Sequence, residues 1–292
     1  MRKEEFIYHV GQSALRAILY EVSVTPKPGL VDRNNNGAHQ DMDFYTFMDS
    51  ASALHGVFER FTEIGIESAR RSCKETQRDL QRYGIEAEGK MFRLTKGVNT
   101  HKGIIFSLGF LCGAIGRLGP AAELSVRNIT GEVKRLCSGL SKQAFAGLKE
   151  KVHLTKGEAV YLKYGIGGAR AEAESGFQTV TEISLPIFIR EVEKGSDINT
   201  ACIRSLLELI ANTKDTNILS RHNMEIAEEA RNGAAAVLNR SEDKAVDMKA
   251  VKQLDELFIQ RNISPGGCAD LLAVTLFFYF IHDQGHLLSD SS

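Results

Sequence analysis

Apolar residues along the chain recur at the three- and four-residue spacing of an amphipathic helix. Near the start, this spacing places Ile7, Val10, Ala14 and Ile18 on one face. A second set continues the pattern after residue 43 and consists of Phe44, Phe47, Met48, Ala51, Leu54, Phe58 and Phe61. The alternation typical of strands is scarce. The pattern therefore predicts an all-α fold.

The same spacing predicts helices through most of the remaining chain. They are expected at about 66–83, 103–118, 124–148, 168–194, 198–212, 217–238, 245–260 and 266–282. Pro186 falls inside the fourth of these stretches and is expected to end or kink it. No low-complexity linker or repeat divides the chain. The sequence therefore predicts a single multi-helix domain over residues 1–292, with an active site formed by polar loops rich in glycine and asparagine.

Composition and charge exclude several classes of protein. Lys and Arg number 36 and Asp and Glu 37, so a formal net charge of -1 gives no reason to expect nucleic acid or an anionic membrane as partner. The longest apolar stretches are shorter than the roughly 18 residues that span a bilayer, and no signal peptide is visible at the N-terminus. The five cysteines are scattered and form no CxxC pair. They predict reduced thiols and a cytoplasmic protein.

Five polar segments each lead into an apolar helix. They combine glycine or asparagine with a cation, an acid or both, and they read "TPKPGLVDRNNNGAHQDMD", "LTKGVNTHKG", "YGIGGARAEAESGF", "NTKDTNILSRHN" and "NISPGGCAD". Glycine lets backbone N–H groups approach a ligand, and a helix N-terminus presents unpaired N–H groups to an anion. Such segments suit phosphate groups. Neither a P-loop nor a Rossmann fingerprint is present.

Each segment also has a purely structural interpretation. Ser264 can be the N-cap of a helix that begins at Pro265, and Asp215 or Thr216 can cap the helix that carries Arg221. A cap and an anion site are compatible at one helix end. Five separate coincidences in one chain are a weaker explanation than one shared site, so ligand binding is the preferred interpretation.

In this order and at this spacing, "TPKPGLVDRNNNGAHQDMD", "NTHKG", "ARAEAESGF", "DTN" and "SPGGCADLLAVT" resemble the triphosphoribosyl-dephospho-coenzyme A synthase family. The resemblance covers the chain from about Ala14 to His282. It implies an all-α enzyme that joins ATP to 3′-dephospho-coenzyme A and releases adenine. The product is the prosthetic-group precursor of citrate lyase or of malonate decarboxylase. One departure is His222, because glycine commonly follows this arginine in the family pattern.

The implied reaction brings two nucleotides and several phosphates together, so cations, helix N-termini and Mg²⁺ are expected to offset their repulsion. The residues expected to bind nucleotide or phosphate are Lys27, Arg33, Lys96, His101, Lys102, Arg170, Arg221, Gly266 and Gly267. Asp32 or Asp43 is expected to be the catalytic base that deprotonates the ribose 2′-hydroxyl. Glu174 and Asp215 are the expected metal ligands. The triphosphate stays intact, so the metal is expected to orient it.

Two other functions remain open at this point. The first is an all-α, Mg²⁺-dependent hydrolase that sends water to the ribose carbon of an ADP-ribose-like or nucleotide substrate. The second is a non-catalytic coenzyme A or nucleotide-binding protein of a carrier-protein assembly. The resemblance favours the synthase, whose product is passed to a carrier-protein holo-synthase. The sequence leaves open whether the chain forms a homo-oligomer.

Overall fold

The computed structural model describes residues 1–240 and 245–282. Every regular element in these residues is helical, which confirms the all-α prediction. A 3₁₀ turn covers Leu148–Glu150 and a π-helical segment covers Val180–Ser184. The α-helices are α1 (Lys3–Ser23), α2 (Phe44–Ala53), α3 (Val57–Glu67), α4 (Cys73–Leu94), α5 (Lys102–Leu118), α6 (Val126–Cys137), α7 (Leu140–Phe145), α8 (Lys156–Tyr164), α9 (Gly168–Glu174), α10 (Leu185–Glu193), α11 (Ile198–Asn212), α12 (Thr216–Arg221), α13 (Met224–Arg240), α14 (Met248–Gln260) and α15 (Gly266–His282).

Several helix starts are fixed by local side-chain chemistry. Ser72 and Thr155 each form a capping box with the glutamate three residues later. Asp197 accepts the N–H of Thr200 at the start of α11. These side chains satisfy N–H groups that have no partner within the helix, so the helix begins where the cap stands.

Four predicted helices are interrupted. The stretch 124–148 is broken between Cys137 and Leu140, where Gly139 has a positive φ of 81°, and α7 ends at Phe145. The stretch 66–83 contains the end of α3 and the start of α4, and 217–238 is broken between Arg221 and Met224. The stretch 168–194 ends early, because Gly176 and Phe177 both have positive φ values, of 72° and 59°. Pro186 stands in the first turn of α10, directly after the π-helical segment, so the expected interruption is present there. The apolar residues keep their helical spacing across such breaks, so the spacing alone does not predict them.

One compact unit contains Met1–Glu21, Tyr45–Ser138 and the described residues from 273 onwards. Its helices α3 and α5 approach closely at glycines. A Cβ built on Gly65 would lie 2.2 Å from the carbonyl oxygen of Gly113, and one on Gly116 would lie 2.1 Å from that of Thr62. The glycine spacing of α5 is therefore a packing requirement.

A second compact unit contains Val22–Phe44 and Gly139–Leu272. Within it, α11 packs against α10 and α13, and the core side chains of α11 include Ile203, Leu206 and Leu209. The unit also holds residues 24–43, which connect α1 to α2 and are called the N-terminal polar loop below. The single-domain organisation stays a prediction, and residues 241–244 and 283–292 of that domain lie outside the described part of the chain.

Within residues 1–240 and 245–282, every helix is too short or too polar to span a lipid bilayer.

Candidate active site

The N-terminal polar loop is folded around the carboxylate of Asp32. Its Oδ1 accepts the backbone N–H groups of Asn34 at 2.6 Å and Asn35 at 3.1 Å, and its Oδ2 accepts that of Lys27 at 3.0 Å. The side chain is buried, with 1% of the residue exposed. Asp32 therefore turns the loop back on itself, in the manner of an Asx turn.

A second carboxylate, Asp255 on α14, anchors the same loop. Its Oδ1 accepts the N–H of Gly29 at 2.9 Å, and its Oδ2 accepts the side-chain amide of Asn35 at 2.9 Å. Burial raises the pKa of Asp255, these two donors oppose that change, and the charge of Asp32 adds to it. Asp255 was missed by the sequence reasoning, because an acid inside an amphipathic helix normally faces solvent and no local motif distinguishes it.

Asp215 joins the N-termini of two helices in the second unit. Its Oδ1 accepts the N–H groups of Asn217 at 2.7 Å and Ile218 at 3.2 Å, so the predicted cap of α12 is confirmed. Its Oδ2 accepts the N–H of Cys268, in the first turn of α15, at 2.8 Å. Burial raises the pKa of Asp215, and the three backbone donors oppose that change. The side chain serves as an internal anion for both helix ends.

The glycines of the "SPGGC" motif have a packing role at this junction. A Cβ built on Gly266 would lie 2.9 Å from the side-chain nitrogen of Asn217, and one on Gly267 would lie 2.9 Å from Oδ2 of Asp215. A side chain at either position would push the two turns apart. The predicted ligand contacts of Gly266 and Gly267 stay predictions, and packing already requires both glycines.

The Gly267→Ala substitution is expected to lower the free energy of unfolding by about 1–2 kcal/mol, because the Asp215 carboxylate must move away from the N–H of Cys268. Chemical denaturation would measure the change. Gly131→Ala in α6 is the matched control, since a Cβ there meets nothing within 4 Å. That control is expected to be neutral or to stabilise by roughly 0.5–1 kcal/mol. Equal losses in both variants would contradict the packing role.

Arg221 at the end of α12 contacts the N-terminal polar loop. Its Nη1 donates to the carbonyl oxygen of Ala38 at 3.2 Å, and its Nη2 lies 3.3 Å from Nδ1 of His39. The other ring nitrogen of His39 lies 2.9 Å from the hydroxyl of Ser264. Helix α15 begins at Gly266, one residue after the predicted start at Pro265, and the Ser264 hydroxyl contacts His39. The capping role of Ser264 stays a prediction.

His222, the departure from the family pattern, has a negative φ, outside the left-handed region that favours glycine. Its φ is −134°, and its Nε2 lies 2.8 Å from the carbonyl oxygen of Asn262. The ring therefore ties the turn after α12 to the segment before α15. A φ in this range does not by itself call for glycine.

The remaining predicted cations lie in different settings. In the first unit, His101 is buried with Nδ1 2.6 Å from the Ser50 hydroxyl, while Lys102 is exposed and pairs with Glu88 at 2.9 Å. Lys96 is exposed in the same unit and has a positive φ of 54°. These three residues belong to the first unit, and the other predicted site residues belong to the second unit.

In the second unit, the exposed Arg33 bonds through Nε to the Thr25 hydroxyl at 3.2 Å. Arg170 is exposed on α9 with its guanidinium carbon 6.0 Å from the centre of the Phe145 ring. The first residues of α9 and α12 are in contact, as shown by the 3.2 Å that would separate a Cβ built on Gly168 from the side chain of Thr216. Four of the five polar segments are thus linked by contacts within one unit.

The predicted metal ligands do not form a complete metal site. Asp215 uses both of its oxygens on backbone N–H groups, and Glu174 is half-buried at the end of α9. Within residues 1–240 and 245–282, no group of three or more His, Cys, Asp and Glu side chains is arranged to hold a metal ion. The donor set of Asp215 does not fit Mg²⁺, because the ion is coordinated directly by carboxylate oxygens and both oxygens of Asp215 already accept backbone N–H groups.

Comparison with known proteins decides the family. The family model described as ATP:dephospho-CoA triphosphoribosyl transferase matches residues 7–287. The chain belongs to this family. It is accordingly a transferase. No solved structure matches the chain.

Its relatives carry a consistent name. A protein of Streptococcus mutans named "probable 2-(5''-triphosphoribosyl)-3'-dephosphocoenzyme-A synthase" is 35% identical over 96% of this chain and 99% of its own length. A protein of Streptococcus equi subsp. equi with the same name is 40% identical, over 94% and 97% respectively. A Pectobacterium atrosepticum protein, named as the synthase without "probable", is 38% identical over 95% of this chain and 91% of its own length. The resemblance noted from the motifs is confirmed.

Proposed function

We propose that this protein transfers the 5-triphosphoribosyl group of ATP to the 2′-hydroxyl of 3′-dephospho-coenzyme A and releases adenine. The observation that carries the proposal is the family match over residues 7–287, whose description names both substrates and the transferred group. The linked polar segments of the second unit support it, because they gather cations and helix ends around one loop.

Three cations of the second unit are proposed to bind phosphate groups. Arg33, Arg170 and Arg221 are exposed, so their guanidinium groups are accessible to a ligand. Lys27 is only 2% exposed, so its contact with a phosphate stays a prediction. Charge-assisted bonds of this kind are about twice as strong as neutral ones. Lys96, His101 and Lys102 stay predicted phosphate ligands.

The bond that breaks is the C1′–N9 glycosidic bond of ATP. Its electron pair leaves with adenine, which takes up a proton, and the transition state at C1′ resembles an oxocarbenium ion. The 2′-hydroxyl oxygen of dephospho-coenzyme A then bonds to C1′ and loses its proton to a base. The phosphates carry the same charge before and after this reaction, so cations bound to them act by orienting the substrate.

Asp43 is the better candidate for the base. All the bonds described for Asp32 serve the fold of the loop, and its 1% exposure leaves little room for a substrate hydroxyl. Asp43 is half-buried and stands directly before α2. A base must lie within hydrogen-bond reach of the proton it removes, and the greater accessibility of Asp43 supports this role.

Mg²⁺ is proposed to enter with the triphosphate, whose oxygens supply several of its ligands. Its chemistry would be charge neutralisation and orientation of the triphosphate. Glu174 stays the predicted protein ligand. The product is proposed to serve citrate lyase or malonate decarboxylase through a carrier-protein holo-synthase, in the cytoplasm.

The assay that tests the proposal is incubation with ATP, Mg²⁺ and 3′-dephospho-coenzyme A. We expect adenine and a product heavier than dephospho-coenzyme A by one triphosphoribosyl unit, both measured by mass spectrometry. Adenine released without dephospho-coenzyme A would indicate the hydrolase instead. The binding protein would release none. Pyrophosphate or ADP as the main product would contradict the proposed bond cleavage.

A further inference from the structure

The contact between Arg221 and His39 determines which ring nitrogen of His39 carries a proton. An arginine guanidinium only donates hydrogen bonds. Because Nη2 of Arg221 lies 3.3 Å from Nδ1, the two atoms form a hydrogen bond when that nitrogen is the unprotonated acceptor. The proton of the neutral ring is then on Nε2, which lies 2.9 Å from the Ser264 hydroxyl and donates to it. The ring thus connects the end of α12 to the segment before α15.

The surroundings of His39 favour this neutral form. The side chain is 10% exposed, and its burial together with the charge of Arg221 lowers the pKa of His39 below the ordinary value of 6.5. Asp41 opposes this change from 3.7 Å, but it is 65% exposed and therefore screened by water. Among the described residues, Arg221 and Asp41 are the charged groups that act on the ring.

We propose that neutral His39 is the positioning residue for Arg221, holding its guanidinium in the orientation that binds the triphosphate of ATP. This inference rests on the proposed function. Nη1 is held by the Ala38 carbonyl oxygen and Nη2 by the ring, so two of the three guanidinium nitrogens are fixed by the loop. Protonation of Nδ1 would place a donor against a donor. The ring would then bond to Asp41, and Arg221 would lose its support.

Two substitutions test the contacts of the two ring nitrogens of His39 one at a time. His39→Asn keeps an acceptor, Oδ1, at the position of Nδ1 and loses the bond to Ser264. His39→Gln places its amide at the position of Nε2, so it keeps a donor to Ser264 and loses the acceptor for Arg221. At pH 8, we expect the Asn variant to bind ATP within about threefold of the wild type and the Gln variant to bind about tenfold more weakly. Equal affinities of the two variants would overturn the inference.

The pH dependence supplies a readout that a merely structural role would not change. As the pH falls from 8 to 5, ATP binding by the wild type is expected to weaken about tenfold more than binding by the Asn variant, with the midpoint below pH 6.5. The direction follows because the supporting form of His39 is neutral and is lost on protonation. The ATP phosphates titrate equally in both proteins, so the ratio of the two dissociation constants isolates His39. A constant ratio would overturn the inference.

Nitrogen NMR of the His39 ring, without nucleotide, tests the geometry independently of the reaction. We expect an unprotonated Nδ1 at pH 8, and a higher His39 pKa in Arg221→Ala, which removes a neighbouring positive charge. A proton on Nδ1 would overturn the inference whatever the substrate is. If Arg221→Ala weakens ATP binding and His39→Gln does not, the positioning role alone is overturned. If neither substitution affects ATP binding, the proposed role of Arg221 falls, and the inference with it.

Discussion

The Asp43→Asn substitution is expected to lower turnover by roughly 10²-fold to 10⁴-fold, the usual scale for loss of a general base. The amide has nearly the same shape as the carboxylate, but it cannot accept the proton of the 2′-hydroxyl. Helix α2 should still begin at Phe44, since asparagine and aspartate are equally favourable at the position before a helix. Adenine release under saturating substrates measures turnover, and the melting temperature reports the fold.

Two matched variants make this result interpretable. Asp49→Asn removes an exposed charge from α2 and is expected to leave turnover unchanged. Asp32→Asn places an amide nitrogen against backbone donors, so it is expected to lower both turnover and the melting temperature. If Asp43→Asn has normal turnover, and Asp32→Asn loses most of its turnover at an unchanged melting temperature, the base is Asp32 and not Asp43.

The Asp215→Asn substitution is expected to reduce the free energy of unfolding by about 2–4 kcal/mol. An asparagine oxygen can still accept the N–H groups of Asn217 and Ile218, but its NH₂ group then faces the N–H of Cys268. At 6% exposure, water cannot replace the lost bond. Denaturant unfolding followed by circular dichroism measures the change.

The matched control is Asp197→Asn at the start of α11. Asp197 accepts the N–H of Thr200 at 3.0 Å in an exposed position and serves one helix only. Asparagine is nearly as good a cap as aspartate there, so a loss of less than about 0.5 kcal/mol is expected. A similarly small loss in Asp215→Asn would mean that the junction between α12 and α15 contributes little to stability.

Helical character was predictable because it depends on local spacing. The apolar positions of α5, α11, α14 and α15 match the predicted stretches to within a few residues. The breaks at Gly176 and at His222 were not predicted. The chain reverses there and contacts other segments, as His222 contacts Asn262. The spacing of apolar residues does not indicate where such reversals occur.

The candidate site was predictable only in part. Its polar segments were recognised because glycine, asparagine and charge together are unusual beside apolar helices. The motifs also identified the family, since their order and spacing form a specific pattern. The base and the metal ligands stay predictions, because a carboxylate in a motif has the same sequence signature whether it contacts substrate or caps a turn.

Local chemistry along the chain thus accounts for the helices, their capped starts, the polar segments and the family. The burial of Asp32, the pairing of Asp255 with Gly29 and Asn35, and the double cap by Asp215 depend on residues up to 226 positions apart. The contact of His39 with Arg221 likewise joins residues 182 positions apart. Hydrogen-bond partners at such separations are set by how the helices pack. A carboxylate or an imidazole acquires its role from those partners, so only the folded chain assigns it.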